Sequence, residues 1–170
     1  HILHHPDLVS LPQIIVTKLN RVSSVHRRVP VDMVVVRRVA ADGSPSAIAV
    51  ILGLFTSVTY SRGLATVPFL RLKAEYVMQA AGYNGSGHGG RALRHILEKY
   101  PRDELFQISR EELYNICTSI MHLQERPRIA LYVRPDFFGR TVSCLVYIPK
   151  DVYDSRLRHQ FANILERELD

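Results

Sequence analysis

The spacing of apolar residues changes twice along this chain, and that change restricts the fold more than any other feature. In the first third the apolar runs are short and β-branched. They are Ile14 to Leu19, Val31 to Val39 with Val34, Val35 and Val36, and Ile48 to Thr56. Runs of this length and make-up read as strands. Asp42-Gly43-Ser44-Pro45, between the last two, is a turn, because Gly accepts positive φ and Pro cannot continue a ladder. Three strands on short links predict an antiparallel sheet with at least one face buried.

The middle third changes to spacings of three and four. Thr66 can cap a helix with Pro68 in its first turn and Gly82 at its end, placing Phe69, Leu72, Tyr76 and Val77 on one face. A second helix runs from about Arg91 to Tyr100, with Leu93, Ile96 and Leu97 apolar, and Pro101 stops it. Ser109-Arg110-Glu111-Glu112 is a capping box, followed by a stripe of Leu113, Ile116, Cys117, Ile120 and Leu123 that ends before Pro127.

The last third returns to alternation. Ile129 to Arg134 places Ile129, Leu131 and Val133 inward and Tyr132 outward. Pro135 to Gly139 is a turn, and Thr141 to Ile148 puts Val142, Cys144, Val146 and Ile148 on one face. A helix from Asp154 or Ser155 would bury Leu157, Phe161, Ile164 or Leu165, and Leu169. Burying an unpaired carboxylate costs several kcal/mol, so Asp at Leu131 or Val146 is expected to prevent folding. The whole reads as α+β: a sheet portion over residues 1–62, a three-helix segment over 63–126, and a strand-strand-helix unit over 127–170. Beginning at His1 and ending within a helical run, the chain reads as a piece of a longer polypeptide.

Bulk properties exclude several classes. An apolar fraction of 46% with 22% charged residues is that of a folded chain, not a disordered one. No charge lies between Asp42 and Arg62, yet the apolar part, Ala47 to Phe55, is far shorter than the roughly 20 residues of a spanning helix. It reads as a buried strand, and no membrane partner is expected. The net charge of +6 raises nucleic acid, but the basic residues are scattered, with pairs only at Arg27-Arg28 and Arg37-Arg38, and no aromatic residues interleave with them. A solvated surface, or arginines facing neighbouring domains, accounts for them better. Cys117 and Cys144, lone and apolar in setting, fit a reducing cytoplasm.

The motifs that could carry chemistry are weak. Gly85, Gly87 and Gly90 form a literal G-x-G-x-x-G, but a dinucleotide site needs a strand before it, and here a helix precedes. His1, His4 and His5 cluster at the start, while His95, His122 and His159 stand singly on helices, with neither H-x-x-x-H nor C-x-x-C for zinc. Asp103-Glu104 and Glu111-Glu112 sit at helix starts, where carboxylates favour the positive end of the dipole. The residues thus assign no catalytic, cofactor-binding or metal site; an enzyme using His26 or the glycine loop is the weaker rival.

Longer stretches are more specific. They are Tyr100-Pro101-Arg102-Asp103-Glu104-Leu105-Phe106-Gln107, Leu123 to Arg128, Asp136 to Arg140 with Ser143 to Tyr147, Gly53 to Ser57 with Tyr60-Ser61, and Val25 to Arg27. Taken in chain order, and over nearly the whole chain, they resemble the N-terminal, non-catalytic region of the large bacterial NAD-dependent glutamate dehydrogenases. The resemblance implies ACT-like units of βαββαβ (ferredoxin-like) type, which elsewhere bind small effectors such as amino acids. It also implies a homo-oligomeric, cytoplasmic parent that deaminates glutamate oxidatively with NAD. On this reading the segment itself holds no cofactor, regulates or assembles the enzyme, and has the parent's other domains and subunits as partners. An independent amino-acid-binding module is the alternative.

One surface is expected to make contacts. The turn at Asp136 to Gly139 carries Phe137 and Phe138 where polar residues are usual, and exposed apolar groups mark interfaces. Arg134 and Arg140 flank it and could clamp a carboxylate from a neighbouring domain or an amino-acid effector.

Overall fold

The structure, a computed structural model, describes residues 12–83 and 87–169. His1, His4, His5 and Gly85 lie outside that range. The architecture is α+β, with one small antiparallel sheet before and one after a helical unit along the chain.

Strands β1 (Ile14–Val22), β2 (Pro30–Val39) and β3 (Pro45–Gly53) form a meander in that order. Pairs such as Ile15 with Val35, Thr17 with Met33 and Val35 with Val50 set the register. One face buries Ile15, Met33 and Val35 beneath Phe138 from the far hairpin. The opposite face contributes Val16 and Val34 to the helical core. β3 departs from the buried strand expected of it: Val50, Ile51 and Leu52 are 49%, 61% and 57% exposed. It is the last strand of the sheet, and of its large apolar side chains only Ile48 packs against the Ile15, Met33 and Val35 cluster. It also ends at Gly53, short of Thr56. The Phe55 amide turns to the Asp32 carboxylate at 2.9 Å instead of a ladder carbonyl.

A short helix α1 (Ser57–Ser61) and a 3-10 turn (Leu64–Thr66) lead to α2 (Pro68–Ala80). Thr66 does not cap α2. Its hydroxyl bonds back to the Gly63 carbonyl within the 3-10 turn, and Val67 stands at the cap position with Pro68 first in the helix. Gly82, at φ +74°, ends α2 in a Schellman arrangement, its amide reaching Gln79 and that of Tyr83 reaching Met78. The buried seam of α2 runs through Leu70 and Val77, seven residues apart, toward α3 and α5. Leu72, two residues on from Leu70, falls nearly on the opposite side of the helix and is exposed.

Helix α3 (His88–Lys99) starts three residues before the expected point and buries Gly90, Leu93, Ile96 and Leu97. Pro101 stops it and at once opens α4 (Arg102–Gln107), a helix too short for periodicity to reveal. Helix α5 (Arg110–Glu125) has the capping box, with Ser109 Oγ accepting from the Glu112 amide at 3.1 Å. Leu113, Cys117, Ile120 and Leu123 are buried along it. These helices enclose the main core with Tyr100, Leu105, Phe106 and Ile108.

The second sheet pairs β4 (Ala130–Pro135) with β5 (Val142–Tyr147). Its faces are the reverse of those expected. Tyr132, Leu145 and Tyr147 pack on the helical core, and the Tyr132 hydroxyl meets Ser119 Oγ at 2.8 Å. Leu131 and Val133 point the other way and are half exposed. Alternation correctly separates the two faces, but both are apolar enough that it does not say which one meets the helices. Helix α6 (Ser155–Leu169) completes the order with no buried residue, contrary to the expected burial of Leu157, Phe161 and Leu169.

Candidate functional site

The hairpin turn between β4 and β5 is where the first sheet, the helical unit and the second sheet meet. Asp136 opens it, as Asp commonly does because its carboxylate can accept from amides just ahead. The carboxylate accepts from the amides of Arg140, Thr141 (2.9 Å) and Phe138 (3.4 Å). It also reaches out of the turn, accepting from the buried Thr17 hydroxyl of β1 at 2.9 Å. Burial opposes ionisation of Asp136, but these donors outweigh it and hold the carboxyl below the usual carboxylate range. Arg140 adds a second strap, Nη2 donating to the Lys18 carbonyl at 2.8 Å while its guanidinium lies over the Phe138 ring.

A second junction lies two residues before Asp136. Arg134 is buried and grips Glu104 of α4 with two parallel bonds, Nε to Oε1 and Nη2 to Oε2, the latter at 3.0 Å. Burial works against the Arg134 charge, and Glu104 more than offsets it, raising the guanidinium pKa. Beside the pair, Lys73 of α2 donates to the carbonyls of Leu105 (2.8 Å), Phe106 (3.0 Å) and Ile108 (2.6 Å) and so closes the end of α4. Burial, with Arg134 adding to it and Glu104 opposing, brings the Lys73 ammonium down to about 8.

A third link joins the first sheet to α4. Lys18 bonds both Asp32 and Asp103, and Tyr60 donates to Asp103 at 2.8 Å. Burial depresses the Lys18 ammonium, but the two carboxylates outweigh this and raise it.

Between β1, α2, the start of α5 and the hairpin turn lies a cleft of about 640 Å³. Ile14, Phe69, Leu72 and Phe137 make its apolar wall, and Lys73, Arg110, Glu112 and Arg134 its polar part. Arg110 is already engaged with Glu111 and stacked on Tyr76.

The four candidate residues therefore divide. Arg134 and Arg140 are engaged with carboxylates of the chain itself, Glu104 and Asp136. Phe138 folds back onto Ile15, Met33 and Val35. Phe137, unlike Phe138, faces outward, 45% exposed, edge-on to Phe138 at 5.1 Å and lining the cleft. Sequence reasoning missed Thr17, Lys73 and Glu104, each of which acts through partners 30 or more residues away. Nothing local signals such partners, although Glu104 lies within a stretch that carries the family resemblance.

Other sequence candidates stay apart. Gly87 and Gly90 lie at the start of α3, which follows a helix rather than a strand. Burial pushes the Cys117 thiol up to about 12, the state of an inert core residue. Among the described residues no cluster of three His, Cys, Asp or Glu could hold a metal ion, and no helix is long and apolar enough to cross a membrane.

Two family models match consecutive parts of the chain. They are the helical motif 1 of glutamate dehydrogenase over residues 67–126 and its ACT2 domain over residues 130–170. Curated relatives agree. The NAD-specific glutamate dehydrogenase of Halomonas elongata is 39% identical across all 170 residues, and that of Pseudomonas aeruginosa 35% identical over 167.

The chain belongs to the NAD-specific glutamate dehydrogenase family.

A Mycobacterium tuberculosis member is 31% identical over 117 residues, which are 69% of this chain. The chain spans about 10% of the length of the first two relatives and aligns with the N-terminal region of this family. No solved structure matches. Within the family assignment, the Arg134–Glu104 pair joins an ACT2 strand to the helical motif. The Asp136–Thr17 bond joins the ACT2 hairpin to the sheet that precedes that motif.

Proposed function

We propose that this chain is a regulatory and assembly segment, not itself catalytic, of a cytoplasmic homo-oligomeric enzyme. That enzyme would oxidise L-glutamate to 2-oxoglutarate and ammonia with NAD bound in another domain. The supporting observation is that the two matching models describe a helical motif and an ACT2 domain, and that full-chain relatives named for the dehydrogenase are about ten times longer. The segment divides into an ACT-like sheet portion over 1–62, a helical part over 63–126 and the opening of a further ACT-like unit over 127–170.

Its working surface is the cleft rimmed by Phe137 and Leu72. The cations beside it are engaged inside the chain, Lys73 with three carbonyls and Arg134 with Glu104. An apolar side chain from a neighbouring domain or subunit of the parent suits the cleft better than a free amino-acid carboxylate does. The test is the double variant Leu72→Ser, Phe137→Ser in the full-length enzyme. Both residues are exposed, so the segment itself stays folded, while oligomer size, thermal stability or effector response changes. If all three match the parent enzyme, the assembly reading fails. Micromolar, saturable binding of NAD to the 170-residue chain in a calorimetric titration would overturn the non-catalytic reading.

A further inference from the structure

The two ends of the first sheet are treated differently. At β1 the backbone is engaged: Arg140 donates to the Lys18 carbonyl, the register breaks between Lys18 and Val22, and α4 packs alongside. Such breaks and charged groups keep a strand edge from pairing further. At β3 such devices are confined to its start, where the register shifts between Arg38 and Val39 and Pro45 stands. The strand is nine residues long, lies within a stretch free of charge from Gly43 to Ser61, and pairs only with β2 among the described residues. The ladder to β2 is regular from Asp32–Gly53 to Arg38–Ala47, so the far edge is equally regular. Val50, Ile51 and Leu52 are exposed on both faces of it.

From this edge we propose that β3 pairs antiparallel with β3 of a second copy, joining two three-stranded sheets into one of six. Two features select a second copy over another strand. First, the sequence is self-complementary about Val50: Ile48 falls opposite Leu52, Ala49 opposite Ile51 and Ala47 opposite Gly53. Ile48, Val50 and Leu52 of both copies then share one continuous apolar face, while small residues oppose Ile51 on the other. An isologous two-fold contact needs this match of a surface with itself. Second, each copy carries a net charge of +6, so two copies approach best through a surface with no charge. β3 is such a surface. The proposal concerns β3 and not the cleft, so it and the functional reading fail separately.

Sedimentation of the 170-residue chain at high micromolar concentration tests it. The expected mass is twice 19.4 kDa. Val50→Lys places a like charge at the two-fold axis and is expected to restore a monomer that still melts cooperatively, with a midpoint that no longer depends on concentration. Leu131→Lys, on the open face of the other sheet, is expected to leave the dimer intact. Val50→Cys provides a reading that does not depend on Val50→Lys folding. Opposed residues of an antiparallel pair have Cα atoms about 4.5–5.5 Å apart, within disulfide reach. The variant is expected to cross-link symmetrically on mild oxidation much faster than Val58→Cys, an equally exposed control. A wild-type monomer, a dimer that survives Val50→Lys, or equal cross-linking of the two cysteine variants overturns the proposal. In the first case another strand of the parent would be the occupant.

Discussion

Replacing Arg134 by Met strands a carboxylate. The Arg134 and Glu104 side chains are only 9% and 10% exposed, so water cannot take over the two lost hydrogen bonds. Breaking a buried pair by removing one partner costs about 3–5 kcal/mol. The stranded group has one escape, which is to take up a proton. For an ordinary glutamate at pH 7 that costs roughly 3–4 kcal/mol, at about 1.4 kcal/mol for each pH unit above its pKa. This route caps the loss. Lys73 stays nearby and offsets part of it, so we expect Arg134→Met to destabilise the chain by about 3 kcal/mol at pH 7. Because protonation becomes easier in acid, the loss should shrink to about 1 kcal/mol near pH 5. The double variant Glu104→Leu, Arg134→Met removes both charges and should lie within about 1 kcal/mol of the parent. Urea unfolding at the two pH values measures all three quantities. An Arg134→Met loss below about 1 kcal/mol at pH 7, or a double variant as unstable as the single one, would refute the reasoning, because either result means that the pair is not buried and coupled.

Two further outcomes follow from the same structure. Asp136 has a folded-state pKa below its unfolded value, so its stabilisation is fully present above the unfolded pKa of about 3.9 and is lost as pH falls through the depressed one. Asp136→Asn should therefore flatten the acid limb of a stability–pH curve below about pH 4, and an unchanged limb would remove Asp136 as its source. On β4, Leu131→Asp should fold and melt cooperatively, because Leu131 is half exposed, whereas Tyr132→Asp should not fold. Circular dichroism melting of the pair reads out the strand's orientation, and the opposite result would reverse it.

Local chemistry made much of the fold legible in the sequence. The capping box at Ser109 and Glu112, Pro68 at the first turn of α2 and Gly82 at its end act within four residues of themselves, so the chain states them directly. The strands β1, β2, β4 and β5 were equally plain from β-branched content and alternation, and long stretches of mixed polarity such as Tyr100 to Gln107 carried the family. Tertiary structure decided what lies across space. Alternation cannot choose between two apolar faces, so only packing on α5 turned Tyr132 inward and left Leu131 out. An uncharged strand looks buried until its place in the sheet is known, and β3 lies at the end. The partners of Arg134 and Asp136, 30 residues and 119 residues distant, could not be read locally, because a charged side chain records its need for a partner but not that partner's address.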